Sequence, residues 1–110
     1  MPKRNNLKVI WSSFALRDVH DLGDYLVEFM SVAKAELIVD SVLCAGDSLG
    51  EFPHMSRLRN DIHRGLRLVT VRPYVICYLI RNKSVRIVRV LHGKQDSAAA
   101  LSANHMSPLL

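Results

Sequence analysis

The spacing of apolar residues changes from a helical to a strand-like pattern along the chain. A short apolar run from Leu7 to Trp11 predicts a first strand, after which Ser12 or Ser13 can cap a helix. Apolar residues then recur every three or four positions, which predicts one buried helix face. That face carries Ala15, Val19, Leu22, Tyr25, Leu26 and Phe29, and the opposite face carries Asp18, Asp21, Asp24 and Glu28.

A second helix is predicted to begin after a further capping serine, Ser31. Its apolar positions are Ala35, Ile38, Val39, Val42, Leu43 and Leu49. Gly46 and Gly50 weaken its end, and Pro53 closes it. Because few residues separate the two amphipathic helices, they should fold back as an αα-hairpin.

Three β-type runs follow, at about 66–71, 75–81 and 85–91, while residues 54–64 are polar and basic and read as a loop or crossover. The breaks at Arg72-Pro73 and Asn82-Lys83-Ser84 are short enough for antiparallel hairpins. The order β-α-α-β-β-β predicts an α+β fold, in which an N-terminal strand and a helical hairpin pack with a small, mainly antiparallel sheet.

Alternation along the strands places arginines in line with apolar side chains. Arg67 shares a strand side with Val69 and Val71, and Arg89 shares one with Val85 and Ile87. This arrangement is unusual for charges that only face solvent, so both arginines are candidate site residues.

The length of 110 residues suits one domain, which we expect to span 1–96, with residues 97–110 as a frayed or disordered tail. Ten of the 15 Lys and Arg follow Pro53, against two acids, so this half carries +8 and residues 1–53 carry −3. A basic half joined to an acidic helical half favours an anionic ligand together with a dedicated partner.

Other classes of site find little support in the sequence. Cys44 and Cys77 belong to no ligand motif and read as reduced thiols, and the histidines lack metal-ligand spacing, so we expect neither metal nor cofactor. The longest apolar run, 75–80, is strand-length, and the run at 9–11 is too short for a signal peptide. We therefore expect a cytoplasmic protein.

The chain resembles the ParE branch of the RelE/ParE toxin superfamily over residues 7–96. The matching positions are Trp11-Ser12, Ala15, Asp18, Leu22, Tyr25, Ala35, Pro53, Arg57, Gly65, Arg67, Tyr74, Ile76, Tyr78 and the segment Val85 to Gly93. Two departures stand out. Ser56 takes the place of a common glycine before Arg57, and Gln95 replaces a common arginine after His92-Gly93-Lys94.

The resemblance implies the toxin of a type II toxin–antitoxin system that inhibits DNA gyrase. It also implies a ParD-like antitoxin that wraps and neutralises the toxin as a hetero-oligomer, and binding to operator DNA only through the antitoxin complex. An antitoxin helix could bind in a groove beside the toxin helices, and an acidic antitoxin tail could pair with arginines. The candidate residues for these contacts are Leu22, Leu26, Arg64, Arg67, Arg81, Arg86 and Arg89. For the target, the candidates are Arg67, Arg89 and Lys94.

Two alternatives stay open. The sister RelE branch cleaves mRNA on the ribosome, and here His92 would be the acid or base, Arg67 and Arg89 the phosphate clamps and Tyr78 a proton donor. RelE-like enzymes usually carry several lysines and arginines clustered across the sheet, whereas the one lysine of this sheet, Lys83, falls in a turn. The catalytic set is therefore incomplete, which favours a non-enzymatic protein. The other alternative is a family member that binds its antitoxin without being toxic.

Overall fold

The computed structural model describes residues 5–93, so the predicted tail at 97–110, the domain end at 96 and Lys94 lie outside the described residues. The elements are β1 (Lys8–Trp11), α1 (Ser13–Leu26), α2 (Val32–Ser48), β2 (Arg57–Leu58), β3 (Arg67–Val71), β4 (Tyr74–Arg81) and β5 (Ser84–His92). The predicted α+β fold is confirmed. No helix in this part of the chain is long and apolar enough to span a membrane.

The five strands form one mixed sheet in the order β1-β5-β4-β3-β2. β1 runs parallel to β5, and the other neighbours are antiparallel. The interpretation of residues 54–64 as loop alone was wrong, because β2 pairs Arg57 with Leu68 and Leu58 with Arg67. A strand of two residues is too short for a periodic signal in the sequence.

Both predicted caps form. The Ser12 hydroxyl accepts from the amide of Ala15 at 2.9 Å, and the Ser31 hydroxyl accepts from that of Lys34 at 3.2 Å. Ser12 also donates to the carbonyl of Val88 at 2.9 Å, so the same residue that starts α1 attaches it to β5. Both predicted hairpins are confirmed, and Asn82 and Lys83 adopt positive φ angles of 50° and 60° in the β4–β5 turn, as a two-residue hairpin requires.

The main core lies between the helices and one face of the sheet. It comprises Ala15, Val19, Val42, Leu49, Tyr74, Ile76, Tyr78, Val85, Ile87 and Val90. Trp11 packs against this cluster, and its indole nitrogen donates to a carboxylate oxygen of Asp47 at 3.0 Å. The end of α2 is thereby held to the end of β1.

The predicted helix face is only partly buried. Leu26 is buried and Leu22 is half-buried, but Tyr25 and Phe29 are 59% and 67% exposed. Their rings pack on each other instead, with centroids 4.9 Å apart. α1 ends at Leu26, so Phe29 lies in the turn after the helix and does not continue its apolar face. The expectation that this stripe is core was therefore wrong for these two aromatic residues.

A second apolar cluster lies on the opposite face of the sheet. It contains Leu66, Cys77, Leu79, Val88 and Leu91, with Ile62 packed against it. Ile62 and Leu66 lie in the segment between β2 and β3, which brings this segment onto the sheet face. The central strands β4 and β5 are thus covered on both sides.

The two cysteines should differ sharply in reactivity. Burial raises the pKa of the Cys77 thiol to about 12, whereas Cys44 is exposed on α2. Because the thiolate is the reactive species, Cys77 should react at least ~100-fold more slowly than Cys44 with a chromogenic disulfide at pH 8. Thiol titration of folded protein should give one fast equivalent, and denaturation should release the second. Two fast equivalents without denaturant would contradict the packing described.

Candidate functional site

An ion pair joins α1 to β5. Arg89 donates from Nε and Nη2 to the two oxygens of Asp18, at 2.7 and 2.9 Å, and the amide of Val90 donates to Asp18 at 2.9 Å. Both charged side chains are 16% exposed. The carboxylate beside it raises the pKa of the Arg89 guanidinium. The guanidinium predicted to contact a ligand is therefore already bound to a carboxylate of the same chain.

A register shift between β4 and β5 changes the position of Arg89 from the one that regular alternation predicts. β4 and β5 shift register between Cys77 and Tyr78, so Cys77 faces Arg89 while Tyr78 faces Ile87. Val88 is the extra residue, and strict alternation is interrupted there. The expectation that Val85, Ile87 and Arg89 share one strand side was therefore wrong at Arg89. The placement of Asp18 on the solvent face of α1 was wrong for the related reason that β5 lies beside it.

A cavity of about 320 Å³ adjoins this ion pair. It lies between α1 and the ends of β4 and β5 where Tyr74 pairs with His92. The lining residues are Asp18, Asp21, Leu22, Tyr25, Tyr74, Val90, Leu91 and His92. Of the residues predicted to bind an antitoxin, only Leu22 reaches the cavity, whereas Leu26 is buried.

A second polar network holds the loop before β2 against the sheet. Arg67 donates from Nη1 to the carbonyl of Ser56 at 3.0 Å, and the hydroxyl of Tyr78 donates to the carbonyl of Pro53 at 2.8 Å. The Ser56 hydroxyl hydrogen-bonds to the Tyr78 hydroxyl. Tyr78 is fully buried, and burial raises the pKa of its phenol. Arg67 and Tyr78 are cross-strand partners, so the structure does bring these two candidates together.

His92 lies apart from that pair. It ends β5 opposite Tyr74, with the two rings edge to face and their centroids 5.8 Å apart. Arg67 pairs with Tyr78, four residues further along β4, which corresponds to about 13 Å of strand. The four candidates for RNA cleavage therefore lie at three separate places. Arg67 and Tyr78 are together, His92 is at the end of β5, and Arg89 is bound to Asp18.

The remaining arginine candidates are scattered. Arg64 is exposed in the β2–β3 segment, and Arg81 is exposed at the end of β4. Arg86 is half-buried opposite Leu79, and its Nε is shielded from solvent without a hydrogen-bond partner among the described residues. Of the five candidate arginines only Arg64 and Arg81 are exposed, so the five do not present one continuous surface to an acidic tail.

Sequence reasoning missed the contribution of Asp18, Asp21 and Tyr74 to the site. One signal was present for Asp18, which lies three residues after Ala15 and four before Leu22 and so borders the buried stripe of α1. His20, Asp21 and Asp24 also place ligand atoms within 4.8 Å of one another, but all three are exposed. We assign no ion to them, because exposed acidic groups are common without one.

Comparisons with known proteins agree with this architecture. The chain is 38% identical over 86 residues to Toxin RelE2 of Caulobacter vibrioides, covering 78% of this chain and 94% of that protein. It is 36% identical over 73 residues to Toxin ParE3 of the same organism, covering 66% of this chain and 70% of that protein.

A solved structure described as a chromosomal ParDE TA system from P. aeruginosa superposes with a TM-score of 0.71. It shares 19% identity and covers 79% of this chain and 96% of that one, so it shows a shared fold. The family model described as the ParE toxin of type II toxin-antitoxin system, parDE, matches residues 9–97. The chain thus belongs to the ParE toxin family of type II toxin–antitoxin systems.

Proposed function

We propose that this toxin acts by inhibiting DNA gyrase and not by cutting RNA, and that a ParD-like antitoxin neutralises it in the cytoplasm. The observation that carries the proposal is the division of the candidate catalytic residues. RNA cleavage needs an acid or base and a phosphate-binding cation around one scissile bond. Here His92 lies about 13 Å along the sheet from the Arg67–Tyr78 pair.

The state of the individual groups supports the same proposal. Arg89 is bound by the carboxylate of Asp18, so it would have to break a two-point contact before clamping a phosphate. Tyr78 is fully buried and already donates to the carbonyl of Pro53. A phenol without solvent access is poorly placed to donate a proton to an external substrate.

The helical hairpin carries exposed apolar side chains that an antitoxin helix would cover. Its exposed large apolar residues are Leu16, Tyr25, Val27, Phe29, Val32 and Leu37. An amphipathic helix binds such a surface through apolar anchors at helical spacing. Contact with operator DNA would then come through the antitoxin complex. The basic half of the chain, with its exposed Arg64 and Arg81, suits an acidic segment of the antitoxin.

The endonuclease remains the second candidate because Arg67 and Tyr78 are adjacent in the sheet and because a RelE-named relative is 38% identical. His92 discriminates between the two. We expect His92→Ala to arrest growth as the unsubstituted toxin does, since a gyrase inhibitor needs no general acid or base at this position. Loss of an essential acid or base would lower an RNase rate by about 10²–10⁴-fold.

The measurement is growth after induction in cells that lack the antitoxin, with His54→Ala as a matched control on an exposed loop histidine. Loss of arrest in His92→Ala alone, with soluble protein and intact antitoxin binding, would contradict the gyrase proposal. Unimpaired growth with the unsubstituted protein at equal soluble level would instead favour a non-toxic family member that only binds its antitoxin.

A further inference from the structure

The cavity beside α1 has a charge opposite to that of the chain. The protein carries a net charge of +5, yet two aspartates line the cavity, and within residues 5–93 no lysine or arginine does. Its remaining walls are aliphatic, from Leu22, Val90 and Leu91, or aromatic. A site with this lining favours a ligand that has an apolar stem and a cationic end.

The two aspartates are not equivalent. Asp18 already accepts three hydrogen bonds, two from Arg89 and one from the amide of Val90, so its charge is compensated. Asp21 lies one turn of α1 further on, with its side chain 70% exposed. Its ion-pair partner in the described chain is Nδ1 of His20, 3.8 Å away and beyond hydrogen-bond distance. Asp21 therefore supplies the carboxylate with capacity for an external cation.

The aromatic residues narrow the choice of cation. Tyr25 is 59% exposed and lines the cavity, as do Tyr74, where β4 begins, and His92, where β5 ends. A guanidinium can stack its flat face on such a ring while it donates two hydrogen bonds to one carboxylate. A lysine ammonium, as a compact and strongly hydrated charge, would use only part of this site.

We propose that this cavity receives an arginine side chain of the antitoxin, with its guanidinium on Asp21 and Tyr25 and its methylene stem against Leu22 and Val90. The cavity volume of about 320 Å³ is at the small end of ligand pockets and suits one long side chain. The inference rests on the proposed function only in naming the antitoxin as the source. It adds a cationic contact from the antitoxin to the acidic contacts proposed at the exposed Arg64 and Arg81.

The test uses Nα-acetyl-arginine-N-methylamide as the probe, titrated into ¹⁵N-labelled toxin and followed by amide chemical shifts. The citrulline counterpart is the matched control, because it keeps the shape and loses the charge. We expect saturable shifts at Asp21, Leu22, Tyr25, Tyr74 and His92 with the arginine probe and none with citrulline. Equal responses to both probes, or shifts that avoid these amides, would overturn the proposal.

Asp21→Asn supplies the second set of measurements, with Asp40→Asn as a control that removes the same charge from an exposed position on α2, outside the cavity lining. Since an exposed ion pair contributes little, Asp21→Asn should weaken binding of the probe about threefold, and Asp40→Asn should leave it unchanged. If the two substitutions weakened the probe equally, binding would depend on the overall charge of the protein, and the assignment to Asp21 would be overturned.

The source of the arginine is tested by repeating the titration on the toxin–antitoxin complex. If an antitoxin arginine fills the cavity, the probe should no longer bind. Undiminished binding to the complex would show the cavity open and overturn the antitoxin as its occupant. These readouts do not involve gyrase, so a toxin that failed to inhibit gyrase would leave the result on the cavity intact.

Discussion

Replacing Asp18 with alanine should lower the free energy of unfolding by about 3–5 kcal/mol, because it leaves a largely buried guanidinium without its counter-charge. Asp18 and Arg89 are each 16% exposed, and the amide of Val90 loses its acceptor as well. A loss of this size is a large part of the stability of a small domain. Urea unfolding followed by circular dichroism measures the loss.

Asp21→Ala is the matched control, since it removes a carboxylate from an exposed position on the same helix, and it should change the stability by no more than about 0.5 kcal/mol. In the Asp18→Ala background, Arg89→Ala should cost little more, because the interaction is already lost. A wild-type midpoint for Asp18→Ala, or strictly additive losses in the double variant, would contradict the role assigned to this ion pair.

The two glycines inside the helices should respond to alanine with opposite signs. At Gly46, a Cβ would lie 2.6 Å from Cη2 of Trp11 and 3.0 Å from Cδ1 of Ile87, so the indole would have to move. The same ring is held by its bond to Asp47. Overpacking of this kind costs about 1–3 kcal/mol, more than the ~1 kcal/mol that alanine gains over glycine in a helix.

At Gly23 the same substitution should be neutral or stabilise the fold by up to about 1 kcal/mol, because its Cβ would meet only Cγ2 of Val39, at 3.6 Å. Thermal unfolding of the two variants beside the unsubstituted protein gives the comparison, and Trp11 fluorescence reports whether the indole shifts. Stabilisation by Gly46→Ala would show that β1 and α2 are not in the close contact described.

The sequence predicted the elements well where the signal is periodic or chemically local. The caps at Ser12 and Ser31 and the β4–β5 turn depend on a few adjacent residues, and all three formed. The turn is one residue shorter than the predicted Asn82-Lys83-Ser84, because Ser84 begins β5. β2 was missed because two residues carry no period. From the sequence, Gly46 appeared only to weaken its helix. In the structure a glycine is needed there because the indole of Trp11, 35 positions earlier in the chain, packs against it.

The site was less predictable, because it depends on one register shift. With regular alternation, Arg89 would follow Val85 and Ile87, and nothing in the local sequence marks Val88 as the extra residue. Once β5 is shifted there, Arg89 pairs with Cys77 and binds Asp18 of α1. The second half of the chain is basic, but the sequence did not show that Arg67 and Arg89 donate hydrogen bonds to groups within the fold.

These internal contacts bear on how the arginine candidates should be tested. Charge reversal at Arg67 or Arg89 would break the contact with Ser56 or Asp18 and so disturb folding together with any binding. Exposed Arg64 and Arg81 are better probes of antitoxin or target contact, and each variant needs its stability measured alongside its activity. Lys94, the third target candidate, remains a prediction.

The most direct measurement of the central proposal is DNA supercoiling by purified gyrase, with and without folded toxin freed of its antitoxin. Supercoiling should be inhibited or cleaved DNA should accumulate, and His92→Ala should inhibit as well as the unsubstituted toxin. Added antitoxin should restore the activity of gyrase. Full gyrase activity in the presence of folded toxin, together with cleavage of translated mRNA by primer extension, would contradict the proposal.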